Sequence, residues 1–122
     1  MEKTKAQLVV DKMYQGDLFS QWLGIEVLKV EDGSCSLQMK VREEMLNGFQ
    51  IAHGGITYSL ADSALAFASN SYGRRSVSVE TSVSHTEKVV QGDVLIAKAI
   101  ERSLSNKIGI YDIPVENQDG KI

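Results

Sequence analysis

With 122 residues, 43% of them apolar and 24% charged, the chain is sized for one folded core and is too apolar for a disordered segment. A net charge of −3, with Lys and Arg scattered among Glu and Asp, leaves no basic stripe of the kind that binds nucleic acid. The single cysteine, Cys35, has no partner for an internal disulfide, the opening Met-Glu-Lys-Thr-Lys lacks an apolar leader, and no stretch is long and apolar enough for a membrane span. A reduced, cytoplasmic, single domain over 1–122 is expected.

In chain order, Leu8, Val9, Met13 and Tyr14 recur at helical spacing before Gly16, which predicts a short amphipathic helix over 4–16. Ile25, Val27 and Val30 lead into Glu31-Asp32-Gly33, after which Cys35, Leu37, Met39 and Val41 alternate with polar residues, the pattern of a β-hairpin. From Met45 to Gly73 the only Asp, Glu, Lys or Arg is Asp62, where an average share of charge would place about seven. Gly54 to Tyr72 is free of proline, rich in Ala, Leu and Ser, and followed by Gly73, which predicts a long helix. Val77, Val79, Thr81 and Val83 then alternate with Ser76, Ser78, Glu80, Ser82 and Ser84, as in a strand with one apolar face. Gln91-Gly92-Asp93 turns into a strand near 94–102, and Ser105-Asn106-Lys107 into another near 108–116, where Pro114 and a shift of apolar phase point to a bulge or an edge. The order helix, two strands, long helix, three strands fits an antiparallel sheet wrapped around one central helix.

On a helical wheel Ile56, Leu60, Ala61, Ala64, Leu65, Phe67 and Ala68 fill one half of the long helix. Tyr58, Ser59, Asp62, Ser63, Ala66, Ser69 and Asn70 occupy the other, so Asp62 lies opposite the core. Most mid-helix aspartates simply face water. This one, however, stands on a small, neutral face that suits close burial against a second subunit or a ligand. At the front of the same helix comes His53-Gly54-Gly55, preceded by Asn47-Gly48. Such a glycine pair is an ordinary turn signal. Its free N–H groups at the positive end of the helix dipole could also form an oxyanion hole. Gly54 and Asp62 are about 12 Å apart along the helix axis and roughly 80° around it, too far to act on one carbonyl. Chemistry that uses both needs two copies of the helix.

The run Asn47-Gly48-Phe49-Gln50-Ile51-Ala52-His53-Gly54-Gly55, continuing to Ser59-Leu60-Ala61-Asp62 and Asn70-Ser71-Tyr72-Gly73, resembles the hotdog-fold PaaI-type acyl-CoA thioesterases. The likeness extends from Leu23-Gly24-Ile25 to Tyr111-Asp112-Ile113. It implies an α+β hotdog fold, an antiparallel sheet around one long central helix with a short N-terminal helix, and a homodimer or homotetramer. It also implies hydrolysis of acyl-CoA or phenylacetyl-CoA-like thioesters without metal or cofactor. In those terms the Gly54 N–H polarises the thioester oxygen, and Asp62 of the facing subunit attacks the carbonyl or activates water. Asn47 and His53 orient the reactants, and Gly55 and Ser78 contact substrate. Two departures stand out. The family's last strand has no counterpart before Lys121-Ile122, so either the sequence is an incomplete version of the protein, or another segment or subunit fills the gap, or the sheet is incomplete. In addition, His85-Thr86-Glu87-Lys88-Val89 replaces a run that is aromatic-Leu-Arg-Pro in many relatives.

Other residues carry blander expectations. His85 reads as a solvent-facing or hydrogen-bonded structural histidine, Arg74-Arg75 and Lys88 as solvated rather than phosphate-binding, and Phe19 and Trp22 as core or interface anchors. Two histidines this far apart, with one cysteine, give no metal-ligand spacing. The alternative reading is a non-hydrolytic acyl-CoA-binding or regulatory hotdog module. A hotdog dehydratase ranks lower, because His-Gly-Gly opens the helix instead of pairing with an acid.

Overall fold

A computed structural model describes residues 2–122. The first helix, α1 (Lys5–Gly16), starts on a reciprocal cap: Thr4 Oγ1 accepts from the Gln7 N–H at 3.2 Å and Gln7 Oε1 accepts from the Thr4 N–H at 2.9 Å. A second short helix, α2 (Leu18–Leu23), had no periodicity long enough to announce it. It begins on Asp17, whose carboxylate accepts from the Ser20 N–H, and ends on Gly24 in the left-handed conformation.

Strands β1 (Glu26–Glu31) and β2 (Ser34–Lys40) form the expected hairpin, and β3 (Val94–Leu104) pairs along the far side of β2. The predicted last strand divides into β4 (Gly109–Asp112) and β5 (Val115–Glu116), interrupted at Pro114. Both pair with β3, and the register slips between Glu101 and Ser103. The sheet thus runs β1-β2-β3-β4, antiparallel throughout, with β5 beside β3.

Helix α3 (Gly54–Asn70) lies across the β2–β3 face, with Leu60, Ala64, Phe67 and Ala68 wholly buried against Leu37, Met39, Leu95 and Ala97. This is the hotdog arrangement, and small residues on α3 let the sheet curve closely around it. The buried stripe is rotated from the half-wheel expected. Ile56, Ala61 and Leu65 are only half-buried, while Ser63, placed on the outer half, is buried. The cause is α2, which packs over that flank so that Ser63 and Ser20 share a hydrogen bond at 2.8 Å.

The strand expected at 76–84 does not form. The segment is extended, as its alternation requires, but a strand needs a paired neighbour, and the sheet path ends at β4. A cleft of about 1520 Å³ lies between this segment and β3–β5. Val77 and Val79, expected on a buried face, are 82% and 96% exposed. Side chains hold the segment instead. Asn70 grips Ser76 through both its carboxamide atoms, at 2.8 and 3.1 Å, and Tyr58 and Thr81 share a hydroxyl–hydroxyl bond at 2.6 Å. Phe19 and Trp22 are not core residues either. They stack on the outside of α2, half-exposed, with the Arg42 guanidinium 4.9 Å over the indole.

At the far end of α3 a polar lock ties the helix to the hairpin. Ser71 Oγ accepts from the Gly33 N–H at 2.7 Å, and Glu101 accepts from both the Tyr72 and Tyr111 hydroxyls at 2.8 and 3.0 Å. Gly33 has φ +73°, and a Cβ there would run into the Tyr72 hydroxyl and the Glu101 carboxylate. Gly33→Ala is therefore expected to cost about 2 kcal/mol, from backbone strain and the broken lock together. Urea unfolding should show a lower midpoint with an unchanged slope, whereas an unmoved midpoint would mean the turn tolerates a side chain.

Candidate active site

The approach to α3 is built by one side chain. Asn47 Oδ1 accepts from the Phe49 N–H at 2.8 Å and more weakly from the Ile51 N–H at 3.5 Å, while the Asn47 N–H donates to the Ile51 carbonyl. The resulting turn puts Gln50 at φ 64°, a left-handed conformation few residues other than glycine adopt. Two further bonds seat it, His53 N–H to the Met45 carbonyl and Ala52 N–H to the Val89 carbonyl. The side-chain oxygen of Asn47 is thus committed to shaping the loop, beyond the substrate-orienting part expected of it.

His53 is the N-cap residue of α3, and its Nδ1 accepts from the Gly55 N–H at a long 3.4 Å. The Gly54 N–H is left without an acceptor among the described residues. One exposed amide, pointing out of the positive end of a 17-residue helix, is the element an oxyanion hole requires. Gly55, expected to contact substrate, has its N–H turned toward the cap.

Two turns further on, Asp62 opens onto the large cleft, whose wall also carries Tyr58, Ala66, Ser69 and Ser78. Ser78 lines this cleft, as do Ser76 and the rest of its segment from Arg74 to Val89. Gly54 lies instead with Asn47 on a smaller cavity of about 330 Å³ that shares Thr57, His85 and the chain on to Val89 with the large cleft. Within one chain, then, the amide and the carboxylate stand on adjoining spaces, two helical turns apart.

Asp62 titrates above the ordinary aspartate range, first because neighbouring atoms strip water from it and second because the Asp17 carboxylate repels its charge. Asp17 is held nearby by the chain Asp17–Ser20–Ser63, in which the Ser20 hydroxyl bonds to Asp17 Oδ2 at 2.6 Å. Among the described residues no three His, Cys, Asp or Glu side chains converge as metal ligands do.

His85, read as a solvent-facing or hydrogen-bonded structural histidine, is exposed, and its Nε2 lies 3.2 Å from where a Gly54 Cβ would stand.

Comparison with known proteins bears on this geometry. The family model of the thioesterase superfamily matches residues 49–122, which include the Asn47 turn's far side, Gly54, Asp62 and Ser78. The acyl-coenzyme A thioesterase PaaI of Escherichia coli is 38% identical over 109 residues, covering 89% of this chain and 78% of that one. The structure of E. coli PaaI, from the phenylacetic acid degradation operon, superposes with a TM-score of 0.94 at 37% identity, over 96% of this chain and 85% of that one. A hypothetical thioesterase protein from Streptococcus pneumoniae, solved with coenzyme A, gives a TM-score of 0.84 at 26% identity, over 90% and 86% of the two chains. Two mutants of that protein, solved separately, replace an aspartate and a threonine by alanine, and each covers 80% of both chains at a TM-score of 0.77 and 26–27% identity.

The raised pKa has a stability consequence. The folded state holds the Asp62 proton more tightly than the unfolded chain does, so ionisation at higher pH favours unfolding. Asp62→Asn should be at least as stable as the parent at pH 7, with the gap closing as pH falls from the raised folded-state value and gone by the ordinary aspartate value near 4. Urea melts at several pH values check this, and a variant less stable at pH 7 would contradict it.

The match over residues 49–122, the 38% identity to PaaI and the shared architecture together mean that the chain belongs to the thioesterase superfamily, as a hotdog-fold thioester hydrolase of the PaaI-like group.

Proposed function

We propose that the chain hydrolyses acyl-CoA thioesters, aryl-acyl ones such as phenylacetyl-CoA among them, in a site composed from two subunits. The observation that carries this reading is the uncommitted Gly54 N–H at the front of α3, two turns from a carboxylate whose pKa is raised. The thioester oxygen accepts from the Gly54 N–H, which withdraws electrons from the carbonyl carbon. Asp62 of the facing subunit then either attacks that carbon or takes a proton from an attacking water. The C–S bond breaks, its electron pair leaves with sulfur, and the thiolate takes up a proton as CoA. Water attack gives the free acid directly, while the acyl-aspartyl anhydride of the other route is opened by a water molecule that returns the carboxylate and releases the acid. A thioester is reactive enough that one carboxylate and one oxyanion donor suffice without a serine triad. Burial beneath the partner raises the basicity of Asp62 further.

The relatives support this assignment of parts. The two alanine substitutions in the S. pneumoniae thioesterase lie sixteen residues apart, aspartate first. Asp62 and Ser78 have the same separation. Ser78 accordingly acts with Asp62, its hydroxyl holding the attacking water or the acyl-aspartyl group, while Asn47 and His53 keep the glycine turn in shape.

Two substitutions isolate the parts. Asp62→Asn should lower thiol release from phenylacetyl-CoA by about 10²–10⁴-fold. Gly54→Pro removes the donating N–H at a helical position proline favours, after a residue already at φ −59° and ψ 137°, and its ring also presses on His85, so it disables the front of the helix as a unit and should lower turnover by at least about 10²–10³-fold. Neither variant acts alone, but in a two-fold dimer each mixed pair contains one intact site. Co-refolding the two variants in equal amounts should therefore restore about a quarter of parental activity. No recovery on mixing would refute the shared site, and unchanged turnover in Asp62→Asn would refute the role of the carboxylate.

A further inference from the structure

The cavity at the front of α3 has a second polar wall that the reading above leaves unused. Its lining includes Asn47, Gly54 and Thr57 from the helix and its approach, and His85, Glu87 and Lys88 from the segment that also borders the large cleft. The His85 ring enters it edge-on. Its Nε2 lies 3.2 Å, and its Cε1 3.5 Å, from the Cβ position of Gly54, so the ring occupies space that any other residue at position 54 would contest. No described residue exchanges a side-chain hydrogen bond with this imidazole, although Thr86 and Tyr58 nearby are both engaged. A ring nitrogen without a partner and a backbone N–H without an acceptor thus stand at one rim.

We propose that His85 touches the substrate: its Nε2–H joins the Gly54 N–H as a second donor to the thioester carbonyl oxygen. The oxyanion site is then built jointly by the helix and by the segment that follows it. As the nucleophile's oxygen bonds to the carbonyl carbon, negative charge gathers on the carbonyl oxygen between the two donors. When the C–S bond breaks, that charge returns to the re-formed carbonyl and the electron pair departs with sulfur. His85 keeps its proton throughout, and either the Nε2-protonated neutral ring or the imidazolium serves as donor. Glu87 and Lys88 line the same cavity, one of each sign, and so impose no single charge on the ring. The inference rests on the thioesterase reading, because it assigns the ring to the carbonyl that reading places there.

The test uses His85→Leu, which keeps bulk and removes the donor, and His85→Gln, whose side-chain amide places an N–H near the position of Nε2. With phenylacetyl-CoA, His85→Leu should lose about 10²-fold in kcat with little change in KM, and His85→Gln should recover most of that loss. Rescue by Gln distinguishes a donor from a packing residue. A second readout needs no turnover. A ketone analogue of phenylacetyl-CoA, with methylene in place of sulfur and a ¹³C-labelled carbonyl, should show a downfield carbonyl shift when bound to the parent protein and to His85→Gln, and much less with His85→Leu. Parental kcat in His85→Leu, equal loss in both variants, or a carbonyl signal indifferent to position 85 would each overturn the proposal. If the parent polarised the analogue through His85 yet released no thiol, the hydrolytic reading would fail while the donor assignment stood.

Discussion

Helix α3 is fixed on three sides, and the geometry of the site follows from that restraint. Its inner stripe, Leu60, Ala64, Phe67 and Ala68, is closed against β2 and β3. One flank is closed by α2 through Ser20 and Ser63, and its far end is tied to the hairpin through Ser71 and Gly33. A helix so restrained cannot roll or slide. Each residue of its remaining face therefore has a set position, and on that face stands the one charged residue between Met45 and Gly73, Asp62.

Charge on that face is governed from elsewhere in the chain. Asp17 begins α2, and its carboxylate caps that helix while sitting close enough to repel the charge on Asp62. A capping interaction and the smaller of the two influences on the Asp62 carboxylate, after the loss of water around it, thus share one side chain. The serine pair bonds Asp17 to α3 and so ties α2 to the helix that carries Asp62.

Much of this was legible in the residues, for identifiable reasons. The long helix, the hairpin and the break at Pro114 follow from local periodicity and backbone preference, which tertiary contacts here reinforce. The glycine turn and Asp62 stood out because charge was missing around them. What periodicity could not supply was the identity of neighbours. Ser63 looked exposed because α2 is too short to declare itself, and Trp22 could be read as core because nothing local reveals that it lies outside α2 under Arg42. Alternation at 76–84 correctly gave extended backbone, but pairing depends on what lies alongside, which no window of sequence contains. The nearness of His85 to Gly54, thirty-one residues earlier, was hidden for the same reason.

The segment from Ser76 to Val89 carries a final implication. It is fastened at points, by Asn70 to Ser76, Tyr58 to Thr81 and Val89 to Ala52, rather than by a ladder of backbone bonds. Contacts of this kind fix few backbone atoms, whereas α3 is held along its length by packed apolar side chains. Gly54 and Asp62 are thus carried by the helix, and Ser78 and His85 by the segment that follows it, two parts of the chain anchored by different kinds of bond.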